Sequence, residues 1–226
     1  MEIEASLTEF AEYLGGEIRR VENKIPTAGG QSDSPASSQI ITGEGRPDNP
    51  GTTNGKITGN EPNGTFYNAT NGGGSGAYLW HKQAGKWTVI YGDTGYKRQT
   101  QAVNIKQGYV ALRRVNNTVE CHFTGGPWGG ISFYGQANSN FKRKSHAKRM
   151  DILGNSKIPD GFRTDISIMV PFYNDDGAHV GMVYVGGKAN YNYIELRFAD
   201  NVPSADLDAM RLPVITWMTN DPFPAN

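Results

Sequence analysis

One cysteine, Cys121, stands in 226 residues, so no disulfide can form within the chain. Durability outside a cell would have to come from packing or from association. Charge of either sign in excess is also missing, with 22 basic residues against 22 acidic ones. A nucleic-acid-binding domain carries a basic surplus, so the balance argues against that partner. No apolar run approaches the ~20 residues of a membrane span, and no membrane insertion is expected. The opening MEIEASL has neither the basic nor the apolar region of a signal peptide. His81, His122, His146 and His179 fall at no metal-ligand spacing, and a lone cysteine cannot build a zinc site. Asp175-Asp176-Gly177 lacks the alternating ligands and distal Glu of a calcium loop. No metal and no cofactor are therefore expected. Nucleophile-elbow, phosphate-loop and dinucleotide fingerprints are absent too, and nothing nominates an enzyme. Paired carboxylates drawn from distant strands are the one catalytic arrangement left open.

What is present points to strands. Charged residues make up 19% of the chain, below the usual quarter, beside 29 glycines and 11% aromatics. The stretch from Tyr78 to Tyr96 is the pivot, and it reads as a β-hairpin. Tyr78 and Trp80 alternate with Leu79 and His81, and Gln83-Ala84-Gly85 makes the connection. Trp87, Val89 and Tyr91 are expected on one face of the return strand. Packing is the expected role of these rings.

Residues 1–25 carry the one strong helical period. Ile3, Leu7, Phe10, Leu14, Ile18, Val21 and Ile25 recur in an 11-residue pattern suited to packing of parallel helices. Ser6 and Glu9 have capping-box spacing, and Pro26 stops the run. Gly15-Gly16 weakens the helix by about 1 kcal/mol per glycine. An isolated helix with that defect is marginal in water, so its stripe needs a partner. A self-associating bundle supplies one; the helix lying back on its own domain is the alternative. Residues 26–38 read as a linker and 39–100 as a small irregular β domain, with Ile40-Ile41 and 64–67 able to form strands. The triplets at Asn63, Asn68 and Asn116 match glycosylation acceptors and are read as chance.

From 101 to 226 strand follows strand, the pattern of an antiparallel β-sandwich. Asn116-Asn117 is a two-residue hairpin turn that sets Val115 opposite Thr118, Arg113 opposite Glu120 and Leu112 opposite Cys121. Cys121 then belongs to a buried face with Val110, Leu112, Val119 and Phe123, as a small apolar residue rather than a reactive thiol. Ile166, Ile168 and Val170 are expected to face Val180, Met182 and Tyr184 across the 174–177 turn. Ile194, Leu196 and Phe198 share a face, Ser204–Met210 reads as a helical turn, and Leu212–Thr219 as a closing strand. Five cations crowd into FKRKSHAKRM, residues 141–150. They read as a solvated loop or as a contact for an anionic polymer.

A binding surface remains. Sugar recognition sets an aromatic ring against the apolar side of the pyranose and polar groups against its hydroxyls. Trp128 and Tyr134 from one connection, with Asp175, Asp176 and His179 from the turn at 174–179, are the candidate contacts. A structural role for each ring is the competing reading.

Three segments carry a resemblance: AYLWHKQAGKWTVIYGDTGYK (77–97), IPDGFR (158–163) and TWMTNDPFP (216–224). Over roughly residues 60–224 the chain resembles tail-tip and receptor-binding proteins from bacteriophages of Gram-positive bacteria. That resemblance implies a homotrimer whose N-terminal segment attaches to baseplate or tail proteins and whose β head binds host cell-wall saccharide. It implies a place on the virion after synthesis in the host cytoplasm, and a threefold axis lined by Leu7, Phe10, Leu14, Ile18 and Val21. An obvious β-helical or collagen-like neck is lacking. A structural baseplate or fibre protein whose head binds another virion protein, and a cell-wall polysaccharide hydrolase, are the alternative functions.

Overall fold

The computed structural model describes residues 39–99, 103–153, 158–190 and 192–225. All of them belong to one compact unit, Ser37–Asn226. The expected helix with Leu7, Phe10, Leu14, Ile18 and Val21, and the linker 26–38, lie outside the described residues.

The described chain is mainly β. Its first sheet orders β1 (Ile40–Gly43), β2 (Phe66–Ala69), β3 (Ala77–Gln83) and β4 (Lys86–Gly92) in sequence, with β1 parallel to β2 and the other pairs antiparallel. β3 and β4 join through Ala84-Gly85, both at positive φ, as the tight turn of a right-twisted hairpin demands. Tyr67, Ala69, Ala77 and Trp80 form a small core that Phe223 joins from the far end of the chain. The return strand departs from simple alternation. Leu79 faces Tyr91 but Trp80 faces Val89, so Ile90 is an extra residue. Trp87 and Val89 pack against the small core, whereas Tyr91 turns outward, 6.0 Å from the ring of Tyr78. The expectation of one shared face for all three fails at that bulge.

Eleven further strands follow among the described residues: β5 (Lys97–Arg98), β6 (Ile105–Gln107), β7 (Tyr109–Val115), β8 (Thr118–Thr124), β9 (Ile131–Phe133), β10 (Arg149–Asp151), β11 (Ile168–Tyr173), β12 (His179–Val185), β13 (Ile194–Arg197), β14 (Leu207–Met210) and β15 (Ile215–Met218). They form three antiparallel sheets, ordered β15-β8-β7-β5, β14-β9-β6 and β10-β13-β12-β11. All three contribute to one core, which includes Leu112 and Cys121, Ile131 and Phe133, and Val183 and Leu196.

The β7–β8 register places Val115 on Thr118, Arg113 on Glu120 and Leu112 on Cys121, as the Asn116-Asn117 turn requires. The cross-strand ion pair does not form, because Arg113 turns instead to Asp93, with Nε 2.9 Å from Oδ1. Ile194, Leu196 and Phe198 are all buried.

Two further expectations are corrected. In the β11–β12 hairpin, Tyr173 faces His179 but Phe172 faces Gly181, so Val180 is an added residue. That single insertion exchanges the faces of β12. Gly181, Val183 and Val185 now oppose Phe172, Val170 and Ile168, while Met182 and Tyr184 pair outside them; Ile166 precedes the strand and is 70% exposed. The helical turn at Ser204–Met210 is likewise absent. β14 runs there beside β9, with a register shift between Leu207 and Met210 and Ala209 at φ 50°.

Candidate functional site

The site is built on the glycine-rich loop between β8 and β9. Pro127–Gly129 makes a single 3-10 turn, closed by Gly126 N donating to Gly130 O at 2.9 Å and Gly130 N to Pro127 O at 2.9 Å. The flanking glycines answer a steric need. A Cβ on Gly130 would stand 2.8 Å from Met210 O, and one on Gly126 would stand 2.9 Å from Gly130 O. The loop therefore lies directly on the backbone of β14. Trp128 at its tip has φ 54° and is 82% exposed. Left-handed backbone is a genuine outlier for so bulky a residue. An indole left in water also forgoes the burial that drives folding.

A second segment reaches the same place. Asn174–Gly177 forms a tight turn in which Gly177 N donates to Asn174 O at 3.1 Å and Ala178 N to Asn174 Oδ1 at 2.7 Å. Gly177, at φ 81°, provides the left-handed position. Tyr173 and Arg211 exchange two backbone hydrogen bonds, at 3.1 and 2.7 Å, which fastens this turn to the chain just after β14.

Arg211 joins the two segments. Its Nη1 donates to Trp128 O at 2.5 Å and its Nε to Asp175 Oδ1 at 2.7 Å, with Nη2 also on Asp175. One exposed guanidinium thus bridges the Trp128 loop and the acidic turn, through a planar fork that Lys does not offer. His179 stands across the hairpin from Tyr173, ring edge to face with centroids 5.9 Å apart. Asp176 is exposed and forms no ion pair with another described residue. Trp128, Asp175, Asp176 and His179 are brought to one end of the sheets. Tyr134 is not. It leaves β9 at the opposite end, about 10 Å of strand away, where its N donates to Asn104 O and the neighbouring Gly135 N to Asp206 Oδ1.

Arg211 is the residue that sequence reasoning missed. It lies between Met210 and Leu212 with no motif around it, and its role depends on partners 36 and 83 positions distant. An exposed indole on a loop that Arg211 links to Asp175, with a second carboxylate and an imidazole on the adjoining hairpin, offers the group types for a ligand with an apolar face ringed by hydroxyls. Among the described residues no three His, Cys, Asp or Glu side chains converge as a metal site. No protein-family model, curated protein or solved structure matches this chain.

Proposed function

We propose that the chain is a receptor-binding protein of a bacteriophage tail tip, a non-catalytic adhesin that holds a host-surface saccharide at the Trp128 loop. The observation that carries this reading is Arg211, whose guanidinium bridges the backbone carbonyl of Trp128, the residue with the outward indole, and the carboxylate of the acidic turn. Exposure of Trp128 and its left-handed backbone are costs without return among the described residues, and such costs gather at ligand sites. The ring stacks on the apolar face of a sugar. Asp175, Asp176 and His179 take hydroxyls, and a wrong epimer leaves one of them unpaired.

The viral setting rests on the resemblance of residues 77–97, 158–163 and 216–224. It assigns the three sheets around one core, all but the short edge strand β5, to a β-sandwich head, residues 101–226, with residues 39–100 as a shoulder or neck and residues 1–25 given to attachment. In this setting the protein is a homotrimer on the virion, with baseplate or tail proteins as partners. A single sugar contact of this kind has a dissociation constant on the order of a millimolar. Three copies on one rigid assembly raise avidity roughly 10² without any new contact.

Quenching by acrylamide tests the site directly. Trp128 dominates the accessible indole, because Trp80 and Trp217 are buried and Trp87 is half-buried. Cell-wall polysaccharide from a susceptible Gram-positive host should protect the parent protein from quenching and leave a Trp128→Phe variant unprotected. Equal protection of both would move the receptor site elsewhere.

A further inference from the structure

The basic run at 141–149 forms a pocket of its own. Gln136, Phe141, Arg143, Lys144, His146 and Arg149 are among the residues lining a recess of about 140 Å³, and no carboxylate lines it. The recess lies beside β10, the far edge of its sheet from β11. Three strand spacings, about 14 Å, separate the two edge strands.

The charges beneath it are arranged unusually. Along β10 and β13, Arg149 faces Arg197 and Asp151 faces Glu195, so like charges oppose each other twice. Such pairs are destabilising unless something bridges them. The acidic pair has its bridge: Lys144 Nζ sits 2.7 Å from Asp151 Oδ1 and 2.7 Å from Glu195 Oε2. Glu195, fully buried, also receives Arg197 Nε at 2.7 Å. Its attraction for Arg149 is slack, with Nη1 3.8 Å away. Arg143 is exposed and donates from Nη1 to Gln136 Oε1 at 2.9 Å. Both carboxylates are thus engaged by Lys144 and Arg197, and the two guanidiniums at the recess have most of their donors unengaged by other described residues.

We infer that this recess is an anion site for a phosphate group, gripped by Arg143 and Arg149. A guanidinium offers parallel donors that match two phosphate oxygens, and two guanidiniums lining one recess can engage more oxygens of a tetrahedral phosphate than a carboxylate has to offer. The volume equals roughly five water molecules, enough for the phosphate and its first substituent. The inference is independent of the Trp128 reading, since it concerns a different surface and requires no cell.

The purified full chain titrated with inorganic phosphate, dimethyl phosphate and acetate at constant ionic strength, followed by amide NMR, tests it. Saturable shifts confined to 143–149 and their neighbours are expected with phosphate in the millimolar range, and at least about tenfold weaker binding with acetate. Dimethyl phosphate matching inorganic phosphate assigns the recess to phosphodiesters; inorganic phosphate alone assigns it to free phosphate or monoesters. Arg143→Gln, which costs the fold a single exposed hydrogen bond, should weaken phosphate about tenfold, and Arg143→Lys should not restore it. Lys97→Gln, an exposed cation on β5, should change nothing. Shifts that never saturate, acetate binding as tightly as phosphate, or Arg143→Gln binding like the parent would each overturn the assignment.

Discussion

Trp128 shows what a single residue is made to bear. Its backbone sits where glycine is at ease and a β-carbon is not, a strain of about 1–3 kcal/mol. Trp128→Gly should therefore unfold at the same urea concentration or a higher one, while saccharide binding disappears. A variant that is clearly destabilised would mean that the indole is a packing group. Asp221 bears the opposite assignment. Its side chain is buried, and burial alone raises a carboxyl pKa. Arg163 Nε at 2.8 Å, Lys188 Nζ at 2.9 Å and the N–H groups of Arg163 and Gly161 outweigh that and hold it well below the usual carboxylate range. A depressed folded pKa contributes stability in full above the unfolded value of about 3.9 and loses it as pH falls below that. Asp221→Asn should cost about 3 kcal/mol at pH 7, measured by urea unfolding, and less at pH 3. An equal cost at both pH values would remove Asp221 from the account. Neither Arg211 nor this cluster was legible in the sequence, because their partners lie tens of residues away and leave no local pattern.

Elements were legible where a turn and an alternating pattern agree. Asn116-Asn117 and the apolar alternation on either side fixed the β7–β8 register, and Cys121 is fully buried within it. Burial pushes the Cys121 thiol pKa up, which removes thiolate, the reactive form. Thiol reagents should therefore leave the native protein unlabelled over hours and label it promptly in denaturant; rapid native labelling would contradict the register. Where bulges intervene, alternation misleads. Ile90 in β4 and Val180 in β12 each insert one residue, and each turns the residues beyond it to the other face. Nothing in the composition of VIYG or HVGMV announces the insertion. The segment before Arg211 failed for a related reason. Ser, Asp and Ala favour a helix start locally, but pairing with β9 and the left-handed Ala209 hold it as a broken strand. The loop carrying Trp128 was readable, since Gly-Gly-Pro-Trp-Gly-Gly has no strand or helix period. That it rests on β14 was not.

At the scale of the molecule, the proposal joins a rigid β head to an assembly that multiplies weak contacts. The 11-residue stripe of residues 1–25 predicts a mass of about three times 24.7 kDa by light scattering at micromolar concentration. Leu14→Asp should shift it towards the monomer by placing three charges near one axis. A monomeric parent would end the trimer reading while leaving the Trp128 site to be judged on binding. The most direct test of the central claim is adsorption of the purified protein to immobilised cell-wall polysaccharides from Gram-positive bacteria, comparing the parent with Trp128→Ala and Asp175→Ala. Saturable binding to at least one polysaccharide is expected, lost in both variants with thermal unfolding nearly unchanged. Undiminished binding by both folded variants would contradict it.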